Sequence, residues 1–329
     1  MAIYDISGNI LSGDADLESY YETEAETTID SVRDLLTEPC MVFPLITDIH
    51  YLSDTSLAPS SFLKSIRNIK YLSQKLQFDF LMNLGDNTDA VDTSAATTVG
   101  YGDTMLEKFL DLGLPYYQAI GNHDTNYYGT TLLTLAQTYR SYLANTYGVI
   151  FDSTGTNYYK DFDEYGIRLV VLNANYLTRY AFNSATSTWL SGTALDTTNI
   201  VLLATHLSPI SAQNWSNNNP TNSTAVTTAV QDFVDNGGVV VQLNGHSHCD
   251  YSFTSPWRSV FTTCNKCQQV DVTGSGYTAV TTSDDGLYAP ERAAGTVTED
   301  CWDVVVIRPT SRLINFVRFG AGSDREFSF

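Results

Sequence analysis

Histidine is scarce in this chain, with five in 329 residues. Basic side chains are few as well, 17 Lys and Arg against 37 Asp and Glu, for a formal net charge of −20. Such an acidic surface repels nucleic-acid backbones and anionic membranes, so no electrostatic steering toward either is expected. Long hydrophobic runs are missing too. The longest, such as RLVVLN and NIVLLATHL, are strand-sized and fall well short of the ~20 residues a membrane-spanning helix needs. The N-terminus, MAIYDISGNILSGDADLESYY, lacks a basic start followed by an apolar stretch, so no secretory signal is read there. A cytoplasmic location is the expectation, with an extracellular or virion-associated one as the alternative. Cysteine is sparse: Cys40, Cys249, Cys264, Cys267 and Cys301. The spacing of Cys264 and Cys267 suits half of a structural zinc site that Cys249 and Cys301 would complete, but one such pair is a weak signal, and plain thiols are favoured over a disulfide or a zinc site.

What the chain does have is enough apolar material for a sizeable core, at 43% hydrophobic residues, with no low-complexity tract. Residues 1–40 form an acidic segment in which ten Asp and Glu face Arg33 alone. Within it Leu17, Tyr21, Ala25, Ile29, Val32 and Leu36 recur three or four apart, which predicts an amphipathic helix packed on the core. Residues 41–329 read as one domain. Strands are expected at 41–47, 78–83 and 115–120, with helices from about Pro59 and over 104–113 between them. Further on, TNYYKDF and IRLVVLN flank DEYG as a hairpin. Strands at 199–205 and 238–244 enclose a helix at 221–236, and CWDVVVIRPTSRLINFVRFG reads as strand, turn, strand. Strand–helix alternation followed by antiparallel strands predicts an α/β sandwich of two facing sheets with helices outside. The Asn/Ser/Thr-rich stretch 211–224 reads as a surface loop able to lie over a site.

Every histidine follows an apolar strand. After FPLIT comes DIH, with Asp48 and His50; after FDFLMNL comes GDNTD, with Asp86 and Asp89. Then follow GNHD, with Asn122, His123 and Asp124; His206 after IVLLAT; and GHSH, with His246 and His248. Loops at the carboxyl ends of strands in α/β sheets gather in one crevice, so these residues are expected to converge. Imidazoles and carboxylates buried together are costly without a compensating cation. A mixed nitrogen and oxygen donor set suits manganese, iron or zinc better than calcium or magnesium. Alternation along an extended strand would turn both ligands of D-x-H, and both of H-x-H, to one side. Glycines 85, 121 and 245 permit tight turns near the ions. His246 and His248 are read as ligands of two different ions.

The series DIH, GDNTD, GNHD, His206 and GHSH resembles the calcineurin-like metallophosphoesterase superfamily over about residues 42–250. The resemblance implies a four-layer α-β-β-α sandwich of two mixed sheets flanked by helices, and two divalent transition-metal ions. It implies that Asp48, His50 and His248 bind the first ion, that Asn122, His206 and His246 bind the second, and that Asp86 bridges them. His123 would be the acid/base histidine, held in place by Asp124. Two ions ~3.5–4 Å apart lower the pKa of a bridging water and offset charge in an in-line displacement, which implies hydrolysis of a phosphate ester.

GDNTDAV and AIGNHD lack the arginines that phosphoprotein phosphatases of the superfamily carry at these blocks. The pattern is nearer to nucleotide and phosphodiester hydrolases, without choosing between diester and monoester. Tyr127–Tyr128, Tyr176–Tyr180 and Trp215 either stack a base or sugar or serve as ordinary packing. A phosphate-ester small molecule or phosphodiester is the expected partner. One alternative is a hydrolase module of an extracellular or virion assembly acting on a surface polymer such as teichoic acid. The other is a non-catalytic scaffold, which the complete ligand set argues against.

Overall fold

The apolar stripe of the N-terminal region folds as helix α1 (Glu22–Leu35), entered through a tight turn at Ser19–Tyr21. Tyr21, Ala25, Ile29 and Val32 are buried along it, while Leu36 lies past its end and is exposed. Glu22 and Glu24 in the first turn and Arg33 in the last complement the helix dipole. A computed structural model describes residues 17–51, 58–90, 93–214, 218–262, 288 and 290–329. After α1 come β1 (Met41–Ile46), α2 (Ala58–Ser73), β2 (Leu81–Asn83), α3 (Ala95–Leu110) and β3 (Tyr116–Gln118). Helix α3 starts well before the expected 104–113 because Ser94 caps it, its side chain accepting from the Thr97 N–H. The short helix α4 (Leu135–Thr138) leads to β4 (Ile150–Phe151), β5 (Tyr158–Phe162) and β6 (Ile167–Leu172). Next are α5 (Thr186–Trp189), β7 (Ile200–Thr205), α6 (Ser223–Asp235), β8 (Val240–Asn244), β9 (Tyr251–Phe253) and β10 (Arg258–Phe261). The last strands are β11 (Cys301–Arg308), β12 (Leu313–Gly320) and β13 (Arg325–Ser328).

These strands form two mixed sheets, ordered β13-β12-β11-β1-β2-β3 and β4-β5-β6-β7-β8-β10-β9. β1, β2 and β3 run parallel, and so do β6, β7, β8 and β10. Strands that bury both faces need apolar residues at successive positions, and side-chain alternation sorts them into layers. On β11, Val305 and Ile307 enter the core between the sheets, while Trp302, Val304 and Val306 face α1, α2 and α3. On β7, Leu202 and Ala204 enter the same inner core, while Val201 and Leu203 pack with Val226 and Val230 of α6. Helix layer, sheet, sheet and helix layer follow in that order, the expected four-layer sandwich. β11 pairs antiparallel with β1 from Met41↔Ile307 to Leu45↔Asp303, so the C-terminal strands continue the sheet that the first strands begin. Cys249 and Cys301 are buried, whereas Cys264 and Cys267 lie outside the described residues.

Candidate metal centre

The loops that follow β1, β2 and β3 in one sheet, and β7 and β8 in the other, meet at the carboxyl ends of their strands. Backbone hydrogen bonds knit them together: Asp48 N–H to Gly85 C=O at 2.8 Å, His50 N–H to Asp86 C=O at 3.0 Å, and Gly245 N–H to His206 C=O at 3.2 Å. Two glycines allow the closest approach. Gly85 has φ +98°, and a Cβ on Gly121 would collide with the backbone of Asp86. No other residue type lets these two loops touch.

Five of the candidate ligands have left-handed backbones: Asp48 (φ 52°), His50 (51°), Asp86 (53°), His246 (68°) and His248 (54°). A non-glycine residue in that region costs about 1–2 kcal/mol. This corrects the expectation that D-x-H and H-x-H turn both ligands one way through strand alternation. β1 ends at Ile46 and β8 at Asn244, so both motifs lie beyond their strands. The common direction comes from paired left-handed residues, and strain of this kind collects at functional sites.

The side chains do converge. His50 Nε2 lies 3.1 Å from His248 Nε2, and His248 Nε2 lies 3.2 Å from Asp48 Oδ1. His206 Nε2 is 3.1 Å from Asp86 Oδ2 and 3.1 Å from Asn122 Oδ1. His246 donates its backbone N–H to the Asp48 carboxylate at 3.0 Å, and its ring stands 5.2 Å from that of His206. Ligand-type atoms of Asp48, His50 and His248 lie within 4.8 Å of one another, as do those of Asp86, His206 and His246. Those of His50, Asp86 and His123 do so too.

Tautomers follow from the outer contacts. His206 Nδ1 faces the Leu84 carbonyl at 2.8 Å, which can only accept, so Nδ1 carries the proton and a neutral ring leaves Nε2 bare. His50 Nδ1 lies 2.9 Å from Asp89 Oδ1, which likewise turns a bare Nε2 inward. Bare nitrogens facing carboxylate oxygens and each other require a positive charge between them. Burial of His206 is outweighed by Asp86 and Asp48, which raise its pKa to about 9. Burial likewise opposes ionisation of Asp86, yet His206 and His123 hold it down at about 2. His246 is driven well below the ordinary histidine range by burial and by neighbouring His206, which keeps it neutral. Unprotonated imidazole nitrogens and ionised carboxylates are the forms that bind metal, and a divalent cation would take the place of the His206 proton, so the donor set fits divalent cations.

Asp124 does not hold His123 in the way expected of it. Its carboxylate is fully buried and accepts the backbone N–H groups of Asp86, Asn87 and Gly121, each at 2.9 Å, and of Thr88 at 3.4 Å. The GNHD turn wraps that carboxylate in amides, and its hydrogen bonds go to these and not to the His123 imidazole. Burial and nearby Asp86 raise its pKa to about 7. The partner of His123 is Asp89, whose backbone carbonyl meets Nδ1 and whose Oδ1 lies 3.6 Å away. The sequence shows Asp89 in GDNTD, but its dual use, by His50 and His123, needed the fold. Asn218 was missed altogether: it donates from Nδ2 to His246 Nε2 at 3.0 Å, so the 211–224 loop does reach the centre. Tyr128 stacks on His123 with ring centroids 4.6 Å apart, and Tyr180 packs on His246 at 5.5 Å. Trp215 lies outside the described residues.

Comparison with solved structures finds a dimetal phosphatase from Danio rerio, 13% identical, with a TM-score of 0.65 over 89% of this chain and 100% of that one. At that identity the likeness is one of fold. A predicted phosphoesterase from Streptococcus pneumoniae is 9% identical, with a TM-score of 0.34 over 89% of this chain and 100% of that one. A putative 5'-nucleotidase from Staphylococcus aureus is 11% identical, with a TM-score of 0.39 over 88% of this chain and 54% of that one. No curated protein matches the chain. The family profile described as calcineurin-like phosphoesterase matches residues 41–250, from the first strand through the last histidine loop. The chain therefore belongs to the calcineurin-like phosphoesterases, enzymes of metal-dependent phosphoester hydrolysis.

Proposed function

We propose that this protein hydrolyses a small-molecule phosphate ester or phosphodiester at a centre of two divalent transition-metal ions, manganese, iron or zinc. In this reading Asp48, His50 and His248 hold one ion, Asn122, His206 and His246 hold the other, and Asp86 serves both. The observation that carries it is the convergence of bare imidazole nitrogens and buried carboxylates from five separate loops, five of these residues on strained left-handed backbones. The ions would supply charge to offset the phosphoryl oxygens and to activate water. Asp89 and the Leu84 carbonyl fix which nitrogen of His50 and His206 faces inward. His123, its Nδ1–H committed to the Asp89 carbonyl, presents its other nitrogen and gives a proton or hydrogen bond to the departing oxygen. Asp124 holds the loops of Asp86 and Asn122 together from below, and Asn218 and Tyr180 brace His246.

The test is elemental analysis of protein purified without chelator, coupled to a screen of the manganese-loaded protein against monoesters, diesters and nucleotides. About two transition-metal ions per chain and turnover of at least one ester class are expected, because seven donor side chains exceed what one tetrahedral or octahedral ion accepts. Metal content near zero after reconstitution would end this reading.

A further inference from the structure

Arg179 stands at the rim of the metal centre on a platform of three tyrosines. Its guanidinium carbon lies 4.4 Å from the ring centroid of Tyr127, 5.3 Å from that of Tyr180 and 5.5 Å from that of Tyr128. Nη1 donates to the Tyr128 hydroxyl at 3.0 Å. That bond occupies one of five donors. Among the described residues Arg179 makes no ion pair with a carboxylate, whereas Arg168, Arg308 and Arg318 each do. The platform flanks the centre on both sides, since Tyr128 stacks on His123 and Tyr180 packs on His246. A guanidinium stacked on aromatic faces keeps its planar fork oriented and ready for a two-oxygen anion.

The surrounding charge makes this placement informative. The centre is built on Asp48, Asp86, Asp89 and Asp124, in a chain of net charge −20. An anionic substrate approaching it gains from a cation at the entrance. Arg179 is one ring further out than His123, because Tyr128 contacts both of them. It is thus placed to meet the leaving group and not the phosphoryl group under attack.

We propose that Arg179 binds a second phosphate carried by the leaving group, so that the preferred substrate is a phosphoanhydride of the nucleoside diphosphate kind. This rests on the function proposed above. In the reaction, water oxygen bonds to the terminal phosphorus and the bond from that phosphorus to the bridging oxygen breaks. The bridging oxygen takes a proton from His123, and the proton released by water restores it. Inorganic phosphate and a nucleoside monophosphate result, the latter held by Arg179 until it departs. Tyr127, Tyr128 and Tyr180 act by fixing the guanidinium.

The test compares the manganese-loaded wild type with Arg179→Met, which keeps an unbranched stem against the tyrosines but removes the charge and the planar fork, and with Arg179→Lys, which keeps the charge but not the fork. Adenosine diphosphate and p-nitrophenyl phosphate are the substrates. In Arg179→Met the ratio of kcat/KM for the diphosphate over the nitrophenyl ester should fall about 10–100-fold, mostly through KM, as expected when a hydrogen-bonded charged partner is lost. Arg179→Lys should recover part of it. An unchanged ratio in Arg179→Met overturns the proposal. Calorimetric titration with inorganic diphosphate and with orthophosphate gives a second readout, in which the wild type prefers diphosphate and Arg179→Met loses that preference. Should the wild type turn over no ester at all, the function proposed above fails. The titration still judges Arg179, and a diphosphate preference that survives Arg179→Met overturns its role.

Discussion

Arg318 Nη2 meets both carboxylate oxygens of Asp250, at 2.9 and 3.0 Å, and so ties β12 to the loop that carries His246 and His248. Its Nε bonds Asp303 Oδ1 at 2.9 Å, and Arg325 reaches the same two carboxylates from β13. All but Arg325 are buried. Asp250 stands two residues past His248, so the fixed end of the GHSH loop is anchored in the C-terminal strands.

Replacing Arg318 with Met should therefore be costly. Removing one partner of a buried ion pair typically costs about 3–5 kcal/mol, because the remaining charge is stranded. Arg308–Glu326, at 2.7 Å, serves as the control: Glu326 is half exposed, and such a pair contributes only about 0–1 kcal/mol. Urea unfolding should show a large loss for Arg318→Met and a small one for Arg308→Ala. Comparable losses would mean that the Asp250 anchor is not under strong electrostatic control.

The same cluster sets a pH dependence. Burial pushes Asp303 toward its neutral form, but Arg318 and Arg325 outweigh it and hold its carboxyl below the ordinary carboxylate value. A group whose folded pKa is depressed stabilises the fold above its unfolded pKa and loses that contribution as the pH falls through the folded one. Stability should decline as the pH drops below the ordinary aspartate range near 4. Asp303→Asn should flatten that decline while being less stable at neutral pH. A decline of the same steepness in the variant would assign the acid sensitivity to other carboxylates.

Asp89 offers a test of how the centre is oriented. Its Oδ1 fixes His50, and removal of such an outer carboxylate typically weakens metal binding by about 10–100-fold. Asp89→Ala should lower metal affinity by that order while melting near the wild-type temperature, since Asp89 is partly exposed. Asp124→Ala should instead lower the melting temperature, because it strips acceptors from four buried amides. If Asp89→Ala melts early and Asp124→Ala does not, the two roles have been exchanged.

The layers and the meeting of the histidine-bearing loops were legible in the sequence because they rest on strong local signals. Continuous apolar runs mark strands such as β7 and β11, and histidines appear only where those runs end. Three things were not legible. The direction of the paired ligands depends on left-handed backbones at Asp48, His50, His246 and His248, which no residue type there announces. The partner of His123 depends on a turn that buries Asp124 among amides, so proximity in sequence pointed to the wrong carboxylate. Asn218 reaches His246, and Arg179 the tyrosines outside the centre, from loops, and only tertiary packing brings them there.

His123 itself carries the last prediction. Its backbone N–H is given to Asp86 Oδ1 at 2.7 Å and its Nδ1 faces the Asp89 carbonyl, so the main chain and one ring nitrogen are both committed. Its ring also lies 4.5 Å from that of His50, close enough for His123 to compete as a ligand. The two roles separate by leaving group. A sugar or nucleoside alkoxide needs a proton to depart, whereas nitrophenolate leaves with little help. General acid assistance is typically worth ~10²–10⁴-fold, so His123→Ala should cut turnover of the sugar ester by that order and of the nitrophenyl ester far less. Metal content should stay near two ions per chain. Equal losses with metals retained would make His123 a phosphate-positioning group. Loss of one ion would make it a ligand, and the proton for the leaving oxygen would then have to come from another donor.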